Sequence, residues 1–148
     1  MFEREHHRRA AALLEALDPQ ELEADACCFG GGTAIALSHG EFRESHDVDF
    51  LVSEIRGYRR LRERVARRGG LAALVRPGAS LRQARELRAD QYGIRTLVDV
   101  EGVSIKLEIV LEARISFERP GPEDRVCGIA TLGRLDLAAS KLDRKSVV

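Results

Sequence analysis

Apolar residues recur along this chain with two different periods, and the switches between them mark its elements. From Phe2 to Leu17, the residues Ala10, Leu13, Leu14 and Leu17 fall at helical spacing, so the segment predicts a helix that Asp18-Pro19 ends. Its histidines, His6 and His7, are expected in a solvated first turn. A short apolar strand, Ala26 to Phe29, runs into three consecutive glycines, and a helix of small residues is predicted from Thr33 to Ser38. Residues His46 to Val52 alternate as a strand does, with His46, Val48, Phe50 and Val52 on the apolar side, where His46 is expected to pack rather than act in catalysis, and Asp47, Asp49 and Leu51 on the other. Ser53 is the expected N-cap of a helix carrying Ile55, Tyr58, Leu61 and Val65 on one face, which Gly69-Gly70 stops. Leu71 to Val75 reads as an edge strand ended by Pro77-Gly78, while Ser80 to Arg88 fits a short helix or a loop. Two β-branched-rich runs, Ile94 to Val100 and Val103 to Leu111, flank Glu101-Gly102 and predict a hairpin with a two-residue turn. In the second run Val103, Ile105, Leu107, Ile109 and Leu111 face a core, leaving Ser104, Lys106, Glu108 and Val110 opposite. The segment Phe117 to Arg125 reads as a loop, and Val126 to Ala130 as a last strand. Thr131 then caps a predicted helix with Leu132, Leu135, Ala139 and Leu142 inward.

Composition narrows the class. With 148 residues, 44% hydrophobic and 32% charged, one compact domain around a single core is the expectation. No apolar run approaches the ~20 residues that cross a bilayer, and Met1 to Arg9 is too charged for a signal peptide. The expected location is therefore cytoplasmic, with no membrane partner. Cys27, Cys28 and Cys127 have no zinc-type spacing, and their odd number argues against a disulfide scaffold. The net charge of zero hides an asymmetry: Arg56 to Arg95 holds twelve arginines against Glu63, Glu86 and Asp90. That excess suggests a basic face able to meet a polyanion, and its run from Arg56 to Arg68 reads either as a solvated helix face or as a surface for the phosphates of RNA.

The chemistry-bearing residues cluster around the glycines. The bend at Gly30-Gly31-Gly32, opening a helix, leaves backbone N–H groups uncovered, an arrangement that suits a phosphate and equally makes a plain tight turn. Asp47 and Asp49 share one strand face, ~6.5 Å apart along it, which is close enough to hold one divalent cation or two neighbouring ones. As a pair they also fit a solvated strand face. Lys106 and Glu108 are charged on an otherwise aliphatic strand. Glu108 is the candidate third acid, Asp99 on the paired strand competes with it, and an ion pair with Lys106 or an arginine is the plain alternative.

In this order the motifs resemble those of the DNA polymerase β-type nucleotidyltransferases and, more narrowly, the AbiEii/AbiGii toxin group. Gly31-Gly32-Thr33-Ala34 with Leu37, then Arg43-x-Ser45-x-Asp47-Val48-Asp49-Phe50, resembles the first motif. Lys106-x-Glu108 resembles the third acidic position, and Leu137-Ala138-Ala139-Ser140-Lys141-Leu142 the downstream lysine helix. The resemblance implies an α+β fold, a nucleotidyltransferase-like mixed β-sheet flanked by helices. It implies Asp47, Asp49 and Glu108 as catalytic residues and ligands of Mg²⁺, and Gly31, Gly32, Thr33, Ser45, Lys106 and Lys141 as nucleotide-binding residues. Residues 1–148 then form a single nucleotidyltransferase-like domain without the helical C-terminal region usual in the family.

The implied function is Mg²⁺-dependent transfer of a nucleoside monophosphate from an NTP to a hydroxyl on RNA, such as a tRNA end, or on protein. The alternative is a non-catalytic nucleotide- or partner-binding module that keeps the fold. A toxin role, with a cognate antitoxin as partner, follows at family level only. A homodimer is a further expectation, because a missing C-terminal region would leave apolar surface exposed.

Overall fold

In chain order the elements are helices α1 (Glu5–Ala16) and α2 (Pro19–Ala24), strand β1 (Cys27–Gly30), helix α3 (Gly31–Ser38), strand β2 (Val48–Val52) and helix α4 (Ile55–Arg67). A 3-10 turn over Gly70–Leu74 follows, then strands β3 (Arg82–Gln83), β4 (Arg88–Ala89), β5 (Gly93–Val100), β6 (Val103–Leu111), β7 (Arg125–Val126) and β8 (Ile129–Ala130). The structure, a computed structural model, describes residues 2–38, 40–41, 46–112 and 124–132.

The hairpin β5–β6 sets the frame. Glu101 and Gly102 have φ of 54° and 80°, the left-handed pair that lets a two-residue turn match the twist of its strands. The register follows at once, from Val100 opposite Val103 down to Gly93 opposite Val110. Strand β6 then pairs in parallel with β2, and β2 antiparallel with β1. The resulting mixed sheet has the order β1-β2-β6-β5-β3, with β4 also on β5.

Alternation gives this sheet two unlike faces. On one, Val48, Phe50, Ile105, Leu107, Ile109, Ile94 and Val98 are all buried. Helix α1 packs against β5 and α4 against β2, supplying Leu13, Leu14, Tyr58, Leu61 and Val65 to that core. The other face carries Asp49, Glu108, Lys106 and Arg95, since directly paired residues share a face. Part of it is covered too. A Cβ at Gly30 would lie 3.0 Å from Leu51 Cδ1 and 3.2 Å from Leu132 Cδ1, so β1 and β2 are roofed there by the segment following β8.

Several expectations change. Asp18 does end α1, but its side chain also accepts from Gln20 N–H and Glu21 N–H and so caps a second helix, α2, with Pro19 in its first turn. His7 is fully buried rather than solvated, because Glu41 lies 3.0 Å from its Nδ1 and satisfies it inside the protein. The residue before α4 is Glu54, with no side-chain cap, so Ser53 does not take that role, and Ile55 is exposed while Tyr58, Leu61 and Val65 are buried. The expected edge strand Leu71 to Val75 is the 3-10 turn, wound tight after two left-handed glycines, Gly69 and Gly70. Residues 80–88 form neither a helix nor a plain loop but contribute β3 and the start of β4. Val126 to Ala130 is not one strand: Cys127 and Gly128, at φ 52° and 80°, fold it into the small β7–β8 hairpin. The expected helix after Thr131 and the loop over 117–123 lie outside the described residues.

Candidate active site

The site lies where β1, α3, β2 and β6 meet. Strand β1 ends at Gly30 and α3 begins at Gly31 with no residue between, so the chain turns sharply beside β2. Gly31 makes the turn at φ +76°, and a Cβ there would lie 2.7 Å from Asp49 Oδ2. Glycine is therefore required twice over, by its backbone angle and by the carboxylate that touches it. Thr33, expected among the nucleotide-binding residues, is 1% exposed, and its hydroxyl donates to the Asp47 carbonyl. In this structure that side chain ties α3 to the approach to β2.

The parallel register places Asp49 directly beside Glu108. Neighbouring strands lie roughly 4.8 Å apart, so two carboxylates here can share a cation. Glu108 is buried, Asp49 half-buried and Asp47 exposed. Asp47 sits just before β2, in line with Asp49, and His46 is exposed beside it rather than packed in the core. The His46 ring meets that of His6 edge-on at 4.3 Å, and its carbonyl lies 3.3 Å from His6 Nε2. This anchors the start of the strand to α1. Among the described residues, no group of three His, Cys, Asp or Glu side chains is placed to hold one metal ion. What the register aligns is the pair Asp49 and Glu108.

Asp99, the competitor for the third acid, has another occupation. It accepts from Gly102 N–H at 2.9 Å and so braces the hairpin turn, opposite Ser104 and away from Asp49. Lys106 lies on the site face with its Nζ 4.0 Å from Glu108 Oε2. Ser45 and Lys141 lie outside the described residues.

The residue missed by sequence reasoning is Arg95. It stands opposite Glu108 on β5, and its Nε donates to Glu108 Oε2 at 2.6 Å. Its Nη1 lies 3.7 Å from Asp90 Oδ2. The hydrogen bond to Glu108, and then that carboxylate's charge, hold the guanidinium still more firmly protonated than usual. Asp90 is itself fixed, accepting from Tyr92 N–H and Gly93 N–H, and those bonds keep its carboxyl below the ordinary carboxylate range. The signal was present in the sequence: counting back from the two-residue turn sets Arg95 against Glu108.

The donors suit Mg²⁺. Carboxylate oxygens are hard ligands, and Mg²⁺ is commonly held by one or two carboxylates with the rest of its shell supplied by phosphates and water. Glycine N–H groups at the start of α3, beside Asp49, complete a setting for an anion next to a cation.

A mixed sheet flanked by helices, with an acid pair beside a glycine turn, defines the nucleotidyltransferase-like class of fold. JHP933 from Helicobacter pylori shares it at a TM-score of 0.54 and 16% identity, the match covering 96% of this chain and 58% of that one. A second H. pylori structure, provisionally described as a nucleotidyltransferase, matches at 0.50 and 17% identity over 93% of this chain and 56% of its own. The chain thus spans a little over half the length of these two structures, and at such identities the likeness is one of fold. No curated protein sequence matches it significantly. Within the class, the chain belongs to the AbiEii family, described as nucleotidyl transferase AbiEii toxin of a type IV toxin–antitoxin system, whose sequence model matches residues 12–144.

Proposed function

We propose that this chain transfers a nucleoside monophosphate from an NTP to a hydroxyl acceptor on RNA, such as a tRNA end, or on protein. The observation that carries the reading is the side-by-side register of Asp49 and Glu108 with Gly31 against Asp49. Asp49 and Glu108, with Asp47 leading in, would hold Mg²⁺. When bound, the ion would polarise the α-phosphate and neutralise charge on the departing pyrophosphate. The glycine turn and the first N–H groups of α3 would receive phosphate oxygens, and Lys106 would add a positive charge on the same face. In the transfer, the acceptor oxygen bonds to the α-phosphorus as the bond to the bridging oxygen breaks. Pyrophosphate leaves, and the hydroxyl proton passes to a nearby carboxylate or to water.

The test is incorporation of label from each α-³²P-NTP into bulk RNA and protein, with nuclease and protease digestion to identify the acceptor. Asp49→Ala should lower incorporation by at least about a hundredfold, and Asp47→Ala should lower it too. Label uptake indifferent to both substitutions would sink the proposal.

One observation favours a second reading, a nucleotide-binding module without turnover. Glu108 is met by two cations, Arg95 at 2.6 Å and Lys106 at 4.0 Å, which neutralise the charge a catalytic metal would need. Calorimetric binding of an NTP with Mg²⁺, alongside a blank incorporation assay, would decide for it. The family's toxin–antitoxin description supports an antitoxin as partner. Growth arrest on expression, relieved by a neighbouring gene, would establish that partnership.

A further inference from the structure

On the sheet face opposite the core, a single row of side chains crosses four strands. Arg88 on β4 pairs with Arg95 on β5, Arg95 with Glu108 on β6, and Glu108 with Asp49 on β2. Charge therefore changes sign once along the row, between Arg95 and Glu108. At that junction Arg95 Nε lies 2.6 Å from Glu108 Oε2, while Lys106 Nζ approaches the same oxygen to 4.0 Å.

We propose that Arg95 is a resident counter-cation of the acid pair, which leaves Glu108 for the phosphates of an incoming nucleotide and thereby couples divalent-cation binding to NTP binding. This rests on the nucleotidyl-transfer reading of the site. A guanidinium and a divalent cation repel one another strongly at the few ångströms that a shared carboxylate oxygen imposes. As long as Arg95 stays on Oε2, Glu108 is a poor metal ligand. The arginine is equipped to move: its side chain is 48% exposed, so a shift breaks little packing. It also has a second tether, the Asp90 carboxylate, held in place by the N–H groups of Tyr92 and Gly93. A planar fork of donors matches phosphate as well as carboxylate, so a nucleotide offers Arg95 an equivalent partner. Metal without nucleotide costs Arg95 its short bond to Glu108 and leaves it only the 3.7 Å approach to Asp90, whereas metal with nucleotide gives it phosphate oxygens in exchange. The two ligands then bind more tightly together than apart, and by linkage each raises the other's affinity by the same factor.

Calorimetric titration of the full chain supplies the test, with Mn²⁺ alone as probe and then with each NTP in the presence of Mg²⁺. For Arg95→Gln, Mn²⁺ alone should bind about tenfold tighter and the preferred NTP about tenfold weaker, in the range typical of such coupling. Arg95→Lys should keep part of the NTP affinity, since it retains charge but loses the fork. It also serves if the glutamine variant fails to fold, which circular dichroism would reveal. Unchanged Mn²⁺ affinity in both variants would overturn the inference, and so would equal weakening of both ligands, the mark of a purely structural arginine. Asp49→Ala and Glu108→Gln separate the two levels of argument. If they abolish Mn²⁺ binding while the Arg95 variants behave as wild type, only the coupling fails. If they leave Mn²⁺ binding intact, the site itself has been misassigned.

Discussion

Asp25 and Glu108 are both nearly buried acids with an arginine within 3 Å, yet the surroundings of the two pairs are opposite in kind. Asp25, between α2 and β1, is gripped by Arg60 at 2.9 Å and by Arg64 at 2.7 Å, neighbours one turn apart on α4. The helix is pressed close, since a Cβ on Gly57 would fall 2.5 Å from the Asp25 carbonyl oxygen. Helix and Asp25 backbone are thus pressed together by sterics as well as by charge, and Arg64 is only 21% exposed, although Arg60 is about as open as Arg95. Among the described residues, no comparably close helix contact closes the cation side of Glu108. Arg95 and Lys106 reach it across an open sheet face, each with a half-exposed side chain, and a second acid stands beside it on the next strand. The same ionic chemistry fastens the scaffold in one place and leaves an exchangeable contact in the other.

The contrast is broken most severely at Asp25. Asp25→Ala would remove the carboxylate that Arg60 and Arg64 share, with Glu21, 3.1 Å from Arg64, the remaining acid beside them among the described residues. The expected loss is about 2–4 kcal/mol, read as a lower urea midpoint with an unchanged slope. A smaller effect comes from the Tyr58 hydroxyl, which donates to the Asp90 carbonyl at 2.5 Å. Burial, helped by the Asp90 charge, pushes it up to about 12 from its ordinary value of 10.0. A raised folded-state value means that the neutral phenol stabilises the fold, fully below pH 10 and progressively less as pH climbs towards 12. That loss should be about 1–2 kcal/mol after allowance for solvent near the hydroxyl, and Tyr58→Phe should remove this limb of the pH–stability curve.

Much of this organisation is legible in the sequence, and the boundary of what is legible has physical causes. The β5–β6 hairpin is written in a local code, a two-residue turn between alternating runs, and both its ends and its register can be counted off. Gly31, Asp49 and Glu108 follow from the same periodicities together with the resemblance of their motifs. His7 and His46 have exposures opposite to those that local pattern predicts, because each depends on a distant partner: Glu41, 34 positions away, for one, and His6, 40 positions away, for the other. Helix α2 was hidden because Asp18-Pro19 serves both as a stop and as a start, and a periodic reading registers only the stop. Asp25 gave no signal at all, since its arginines lie 35 and 39 residues downstream in a helix whose charges look uniformly solvated.

The finest test of the contrast is a pair of double-mutant cycles. Removing Asp25 and Arg64 singly and together should return a coupling energy of a few kcal/mol, insensitive to salt because the acid is 2% exposed. For Glu108 and Arg95 the same cycle should return less than about 1 kcal/mol, falling further as salt is added, because a half-exposed guanidinium is screened and pays entropy to hold one geometry. A Glu108–Arg95 coupling as large as that at Asp25 would mean that the arginine is as firmly built in as Arg64, and that it could not leave the carboxylate for an incoming phosphate. A small one leaves Arg95 able to exchange at little cost to the fold, so that its removal moves metal affinity while the melting temperature stays nearly where it was.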